Sequence, residues 1–414
     1  VPRPTLLSFS AAALAAAVVF VPAPATASTA TPSNWWYEGY GVAEVHAEGW
    51  TGAGVKVAVI DNQILPDAEV LQGADITIDP EPVCGGNLVV VPDEPTDGAV
   101  HGVEVTAMLV GNGTGPGEVR GIVPDAEVLF YGLGMDKSGS DEGLSGFGAG
   151  IRRALDDGAQ VISISQGWEE HQMIDEDADQ VARAIASGVP IVTSTPNSML
   201  HLFFKWPWNL NGVVSVAGFA ESGVLMGDAE TDGRSVVAHP EVTVIAPAEV
   251  FRSATDGKGI GGSSLAAPLV AGILAANAQK YPDATGSQLI QSLIHNTGVE
   301  DHELQRDETG GTGYGWASLR HTLAVDPSQY PDENPLMDKA SGIPTVEQVE
   351  QAANGTVEPT AEPNGEPSAE TWGAIGVTAA VIGAILLLLI IIAVVIIIVV
   401  VTRRSARKAS GGAP

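Results

Sequence analysis

Short apolar runs alternate with longer amphipathic stretches from Val55 onward. Val55-Lys56-Val57-Ala58-Val59-Ile60 and the runs at 127–131, 160–165, 190–195, 213–217 and 243–246 predict strands. Their apolar positions are nearly continuous, the pattern of strands covered on both faces. The stretches 101–111, 143–156, 175–187, 264–280 and 286–296 predict helices. Strand and helix in alternation predict an α/β fold, a mostly parallel central sheet between two helical layers. In such a sheet, ligands meet the carboxyl ends of the strands. Asp61, Ser165 and Asn197 are expected there.

Outside this body the pattern changes. Residues 1–27 read as a secretory signal peptide. Arg3 supplies the basic start, Leu6 to Val21 the apolar core, and Ala25-Thr26-Ala27 the small-residue cleavage site before Ser28. Residues 28–54, too short for an independently folded inhibitory prodomain, read as an N-terminal arm with a short helix, its aromatics Trp35, Trp36 and Tyr37 docked on the body. The body itself is expected over 55–325. Residues 326–371, rich in Pro, Glu, Thr, Asn and Ser, read as a disordered acidic linker. Gly373 to Val401 is uncharged throughout. At ~1.5 Å per residue it exceeds a hydrocarbon core of ~30 Å, so 372–402 is expected to form one C-terminal transmembrane helix. The basic tail 403–414, with Arg403, Arg404, Arg407 and Lys408, places the C-terminus in the cytoplasm and the body outside.

Composition narrows the chemistry. Fifty acidic against 19 basic residues give a formal charge of −31, which argues against nucleic-acid binding. The single cysteine, Cys84, excludes an intrachain disulfide and has no histidine partner in a recognisable motif. No H-E-x-x-H or paired Cys/His spacing supports zinc.

The most informative stretch is Gly261-Gly262-Ser263-Ser264-Leu265-Ala266-Ala267-Pro268-Leu269-Val270-Ala271-Gly272. Ser264 falls at the first turn of a helix built of small residues, where unpaired N–H groups and the positive dipole end converge. That setting suits a nucleophile whose attack creates an oxyanion. Asp61 ends a strand, His101-Gly102 opens a helix, and Asn197 follows the strand-like run Ile191-Val192-Thr193-Ser194. Acid, base, oxyanion donor and nucleophile thus occur in the order Asp, His, Asn, Ser; Asp…His…Ser is the subtilisin order.

These residues, with Thr51-Gly52-Ala53-Gly54, Gly121-Ile122-Val123-Pro124-Asp125-Ala126 and Ser163-Ile164-Ser165-Gln166-Gly167, resemble the subtilases over residues 36–322. More narrowly, the chain resembles the mycosins, membrane-anchored subtilases of type VII secretion in actinobacteria. The resemblance implies a subtilisin-like three-layer fold and a serine endopeptidase with Asp61, His101 and Ser264 as catalytic residues. It makes Asn197 the oxyanion donor and assigns substrate binding to Ser165, Gln166, Gly167, Ser194 and Thr195. It implies a polypeptide substrate, type VII secretion membrane components as partners, and no cofactor. Structural calcium, which many subtilases bind, finds no supporting ligand spacing here, Asp175-Glu176-Asp177 included. The sequence departs from the family at Asn62-Gln63, where a small hydroxyl residue and glycine are usual, at Val103-Glu104 in place of threonine and histidine, and at Pro196 in place of glycine. Those departures leave a second reading open: an inactive subtilase serving as a structural or binding component of the secretion assembly.

Overall fold

The computed structural model describes residues 34–83, 88–133, 144–167, 175–198, 207–227, 236–249, 251–307 and 309–355, all in one compact unit. The signal peptide, Cys84, the linker beyond residue 355, the apolar span and the basic tail lie outside the described residues. Among the described residues, no helix is long and apolar enough to cross a membrane.

Seven strands form the central sheet: β1 (Lys56–Asp61), β2 (Ile76–Asp79), β3 (Glu127–Gly132), β4 (Val161–Ile164), β5 (Ile191–Ser194), β6 (Val214–Phe219) and β7 (Val244–Pro247). Their order is β2-β3-β1-β4-β5-β6-β7, and each neighbouring pair is parallel. The long helices are α3 (Asp97–Val110), α4 (Gly146–Asp156), α5 (Asp175–Ala186), α6 (Ser263–Lys280) and α7 (Gly286–His295), preceded by the short α1 (Trp35–Gly39) and α2 (Val42–Ala47). Alternate residues of one strand enter different cores. Val57 and Val59 pack in the layer of α3 and α6, while Ala58 and Ile60 pack in that of α4 and α5. This explains the unbroken apolar runs: both faces of the sheet are covered. The arm docks through Trp36, which is fully buried, and through Trp35, whose Nε1 donates to Glu249 O at 3.0 Å.

Two close approaches fix the helices that matter for the site. A Cβ on Gly102 of α3 would lie 1.9 Å from Gln63 O, and one on Gly272 of α6 would lie 2.1 Å from Ile122 Cγ2. A side chain at Gly102 would push α3 away from the segment that follows β1, and one at Gly272 would press α6 against Ile122 in the segment before β3.

The observed fold differs from the expectation at two places. The edge strand β2, half-exposed and four residues long, carries too few apolar positions to stand out from a loop. More consequentially, the fold continues past the expected end of the body at 325. After α8 (Leu319–Ala324), Pro327, Leu336 and Lys339 are buried, and α9 (Val346–Ala353) packs on α5. Composition marked 326–355 as linker because it is rich in Pro, Glu and Asn. The segment satisfies its polar backbone on the body instead: Gly212 N donates to Leu336 O and Asn211 N to Ile343 O, both at 2.8 Å. Thr345 and Gln348 form a reciprocal cap that starts α9.

Candidate active site

The strand order reverses between β1 and β4, since the chain leaves β1 toward one edge and β4 toward the other. A crevice at the carboxyl ends of these strands is where a parallel sheet presents side chains to a ligand. Asp61 ends β1 and is fully buried. His101 lies on α3, whose start is fixed by the Thr96 hydroxyl accepting from Ala99 N at 3.0 Å. His101 Nδ1 faces the Asp61 carboxylate, 3.1 Å from Oδ1 and 2.9 Å from Oδ2. The aligned hydrogen bond goes to Oδ1, because Oδ2, though nearer, receives no well-directed donor. Burial disfavours the charged imidazole, but the charge and hydrogen bond of Asp61, followed by Glu104, outweigh it and raise the His101 pKa. Burial likewise holds the Glu104 carboxyl above its usual value, against a Ser253 hydrogen bond and the nearby His101 that pull it down.

Ser264 is the second residue of α6. Its Oγ donates to Ser165 O at 3.2 Å, while Ser165 Oγ donates to Ser264 O at 2.7 Å. This reciprocal clamp ties the end of β4 to the start of α6. Among the described residues, no hydrogen bond joins Ser264 Oγ to His101; such bonds are often absent until substrate binds. Asn197 Oδ1 accepts from Ser263 N at 2.9 Å, with Ser263 Oγ also 2.9 Å away. With the oxygen end occupied by the backbone donor, the amide orientation is determined and Nδ2 is left to donate. The single Ser263 hydroxyl hydrogen goes to Thr195 O, which binds the residue before Ser264 to the end of β5.

A cleft of about 220 Å³ opens beside Ser264. It is lined by Ser165, Gln166, Gly167, Ser194, Thr195 and Asn197, together with Pro196, Trp208 and Ser264. All five residues expected to contact substrate therefore border one cavity next to the candidate nucleophile. Trp208 was not foreseen: its ring packs 5.0 Å from His239, and no motif or period in the sequence marks it. The departures from the family are accommodated. Gln63 needs no left-handed backbone. Its side chain donates to Val89 O and accepts from Thr96 Oγ1, both at 2.6 Å, so it braces the cap of α3. Pro196 O faces His239 Nε2 at 3.2 Å. Asp177, part of the acidic stretch considered for calcium, is buried and accepts from Ser145 N at 2.9 Å.

A nucleophile at a helix N-terminus, an acid–base pair and an amide donor around one cleft can carry out acyl transfer. The Subtilase family model matches residues 52–316. The chain belongs to that family and is a subtilisin-like serine endopeptidase. It is 28% identical to alkaline elastase YaB of Bacillus sp. (strain YaB) over 291 residues, covering 68% of this chain and 69% of that protein. It is 29% identical over 317 residues to fervidolysin of Fervidobacterium pennivorans, covering 70% of this chain but only 43% of fervidolysin. The crystal structure of MycP1 from the ESX-1 type VII secretion system shares the fold, with a TM-score of 0.51 and 21% identity over 74% of this chain and 88% of that one.

Proposed function

We propose that this chain is a membrane-tethered endopeptidase facing the outside of the cell, with Asp61, His101 and Ser264 as its catalytic triad. Ser264 Oγ attacks the scissile carbonyl carbon while His101 Nε2 takes its proton. His101 then returns that proton to the leaving amine, and Asp61 holds the imidazole tautomer and stabilises its charged form. Asn197 Nδ2 and the Ser264 N–H stabilise the oxyanion, aided by the dipole of α6. Attack requires the Ser264 hydroxyl to leave Ser165 O and donate to His101 Nε2. The substrate is an extended polypeptide that pairs along Ser165, Gln166 and Gly167 and seats a side chain against Ser194 and Thr195.

The observation that carries this reading is the Asp61–His101 hydrogen bond beside a cleft bordered by both Ser264 and Asn197. The outward orientation rests on the signal-peptide pattern, the apolar run Gly373 to Val401 and the basic tail. Together with the fold shared with MycP1, this topology supports the further proposal of a mycosin-like role, processing exported proteins at a type VII secretion system.

The Ser264–Ser165 hydrogen bond favours a second reading, an inactive domain held as a scaffold. Termini of exported proteins, compared by mass spectrometry between cells carrying wild-type and Ser264→Ala chains, separate the two. The endopeptidase reading expects a small set of cleaved termini to vanish in the variant. Identical termini in both strains would favour the scaffold.

A further inference from the structure

We propose that Gln166 is a positioning residue of the triad, its side-chain amide fixing the Asp61 carboxylate that orients His101. The proposal rests on the assignment of Asp61 and His101 made above and adds a member to it.

Gln166 directly follows Ser165 at the end of β4, across the sheet's reversal point from Asp61. Its Nε2 lies 3.0 Å from Asp61 Oδ1 and 3.2 Å from His101 Nδ1. A carboxylate only accepts hydrogen bonds, so the amide presents its nitrogen to Asp61. The same Oδ1 accepts from Asn62 N at 2.7 Å. The position after Asp61 is the one where the resemblance leads one to expect a small hydroxyl residue. Asn62 offers Asp61 only its backbone N–H, and its Cβ lies against Gly98 at the start of α3. Asn62 N, His101 and the Gln166 amide thus converge on Oδ1, while Oδ2 receives no well-directed donor; Gln166 supplies the side-chain donor, from the neighbouring strand, that pins this oxygen and keeps the carboxylate from turning.

The Asp61 carboxylate, held in place, selects the tautomer. Gln166 Nε2 and His101 Nδ1 are neighbours that both direct hydrogen at Asp61. An Nδ1 that donates to the carboxylate leaves Nε2 of the ring bare, the form that can accept the Ser264 proton. Since Ser165 clamps Ser264 through two hydrogen bonds, one dipeptide at the end of β4 holds the acid and the nucleophile together. Gln166 thereby acts through Asp61, although it also borders the substrate cleft.

The charged groups facing His101 are Asp61 from β1 and Glu104 from its own helix, with Asp256 beyond Glu104. The Gln166 amide opposes both carboxylates by placing a positive hydrogen edge near the ring. Removing it leaves the imidazolium better stabilised and the carboxylate freer to turn. Gln166→Met keeps the length of the side chain and deletes the donor. Gln166→Glu keeps the shape and replaces the donor with a charged acceptor. In the full-length chain in detergent, with histidine labelled by ¹⁵N, the His101 titration in Gln166→Met is expected to move upward by about half a unit. It moves further upward in Gln166→Glu. Peptide hydrolysis by Gln166→Met is expected to show kcat about tenfold lower with KM within about twofold, and its acid limb moves to higher pH with the titration.

An unchanged His101 titration in both variants would overturn the proposal, as would a rise in KM with kcat intact, which describes a substrate contact. If the wild-type chain hydrolyses no peptide yet the titration moves as stated, the endopeptidase reading fails and the role of Gln166 stands.

Discussion

Replacing Lys339 with Met tests whether the segment after 325 is part of the working domain. Lys339 is 3% exposed, and its Nζ donates to Trp208 O at 2.9 Å, Val213 O at 2.6 Å and Ser215 Oγ at 3.1 Å. Trp208 lines the substrate cleft, so the ammonium props the cleft wall from behind. Met preserves the volume and removes all three donors. Two buried carbonyls lose their partner at roughly 1–3 kcal/mol each. Relief of the buried ammonium returns part of that, leaving a net loss of about 2–4 kcal/mol. At ~2–4 °C per kcal/mol for a large domain, the Tm falls by about 8 °C. Burial pushes the Lys339 pKa down to about 7, against the pull of Glu241. Between about 7 and the unfolded value of ~10.4 the unfolded chain binds more protons than the folded one, so this site's contribution to stability rises with pH. Thermal unfolding of the full-length chain, followed by tryptophan fluorescence at pH 6 and pH 9, should therefore show a larger gap between wild type and Lys339→Met at pH 9. A Tm within about 2 °C of wild type at both pH values would refute the claim that Lys339 is structural. An equal gap at both would refute the pH reasoning.

Two further outcomes follow from the site. Asn197→Ala removes the side-chain oxyanion donor and should lower kcat by about 10²–10³ with little change in KM, measured by steady-state peptide hydrolysis; a rise in KM alone would exclude that role. Glu104→Gln removes one of the groups that raise the His101 pKa. Hydrolysis needs a neutral His101, so the acid limb of kcat/KM should move to lower pH in this variant, and an upward move would contradict the electrostatics.

How much of this was legible in the sequence depends on the kind of signal. The six central strands and five long helices could be read because a sheet covered on both faces forces unbroken apolar runs, as at Val57 to Ile60. The candidate site was legible because Ser264, His101, Asp61 and Asn197 each sit in a local frame of small residues or at a strand end. Gly102 and Gly272 show why that frame is small: their neighbours lie within about a bond length or two of any added carbon. What composition misjudged was 326–355. Polarity there signals hydrogen bonds to the body rather than to water, and only the partners, such as Gly212 and Asn211, distinguish the two. Trp208 and the turn of Gln166 toward Asp61 were illegible for the same reason, since both depend on contacts between segments far apart in sequence. Gln63 had seemed a threat to the site, because glycine is usual there. With hydrogen bonds to Val89 and Thr96 it becomes a brace instead.

The central claim, that Ser264 is a nucleophile activated by His101, is tested most directly by labelling the full-length chain with a fluorophosphonate probe. Wild type should label, and both Ser264→Ala and His101→Ala should lose the label. A folded wild-type chain that stays unlabelled, or a label that persists in Ser264→Ala, would contradict it.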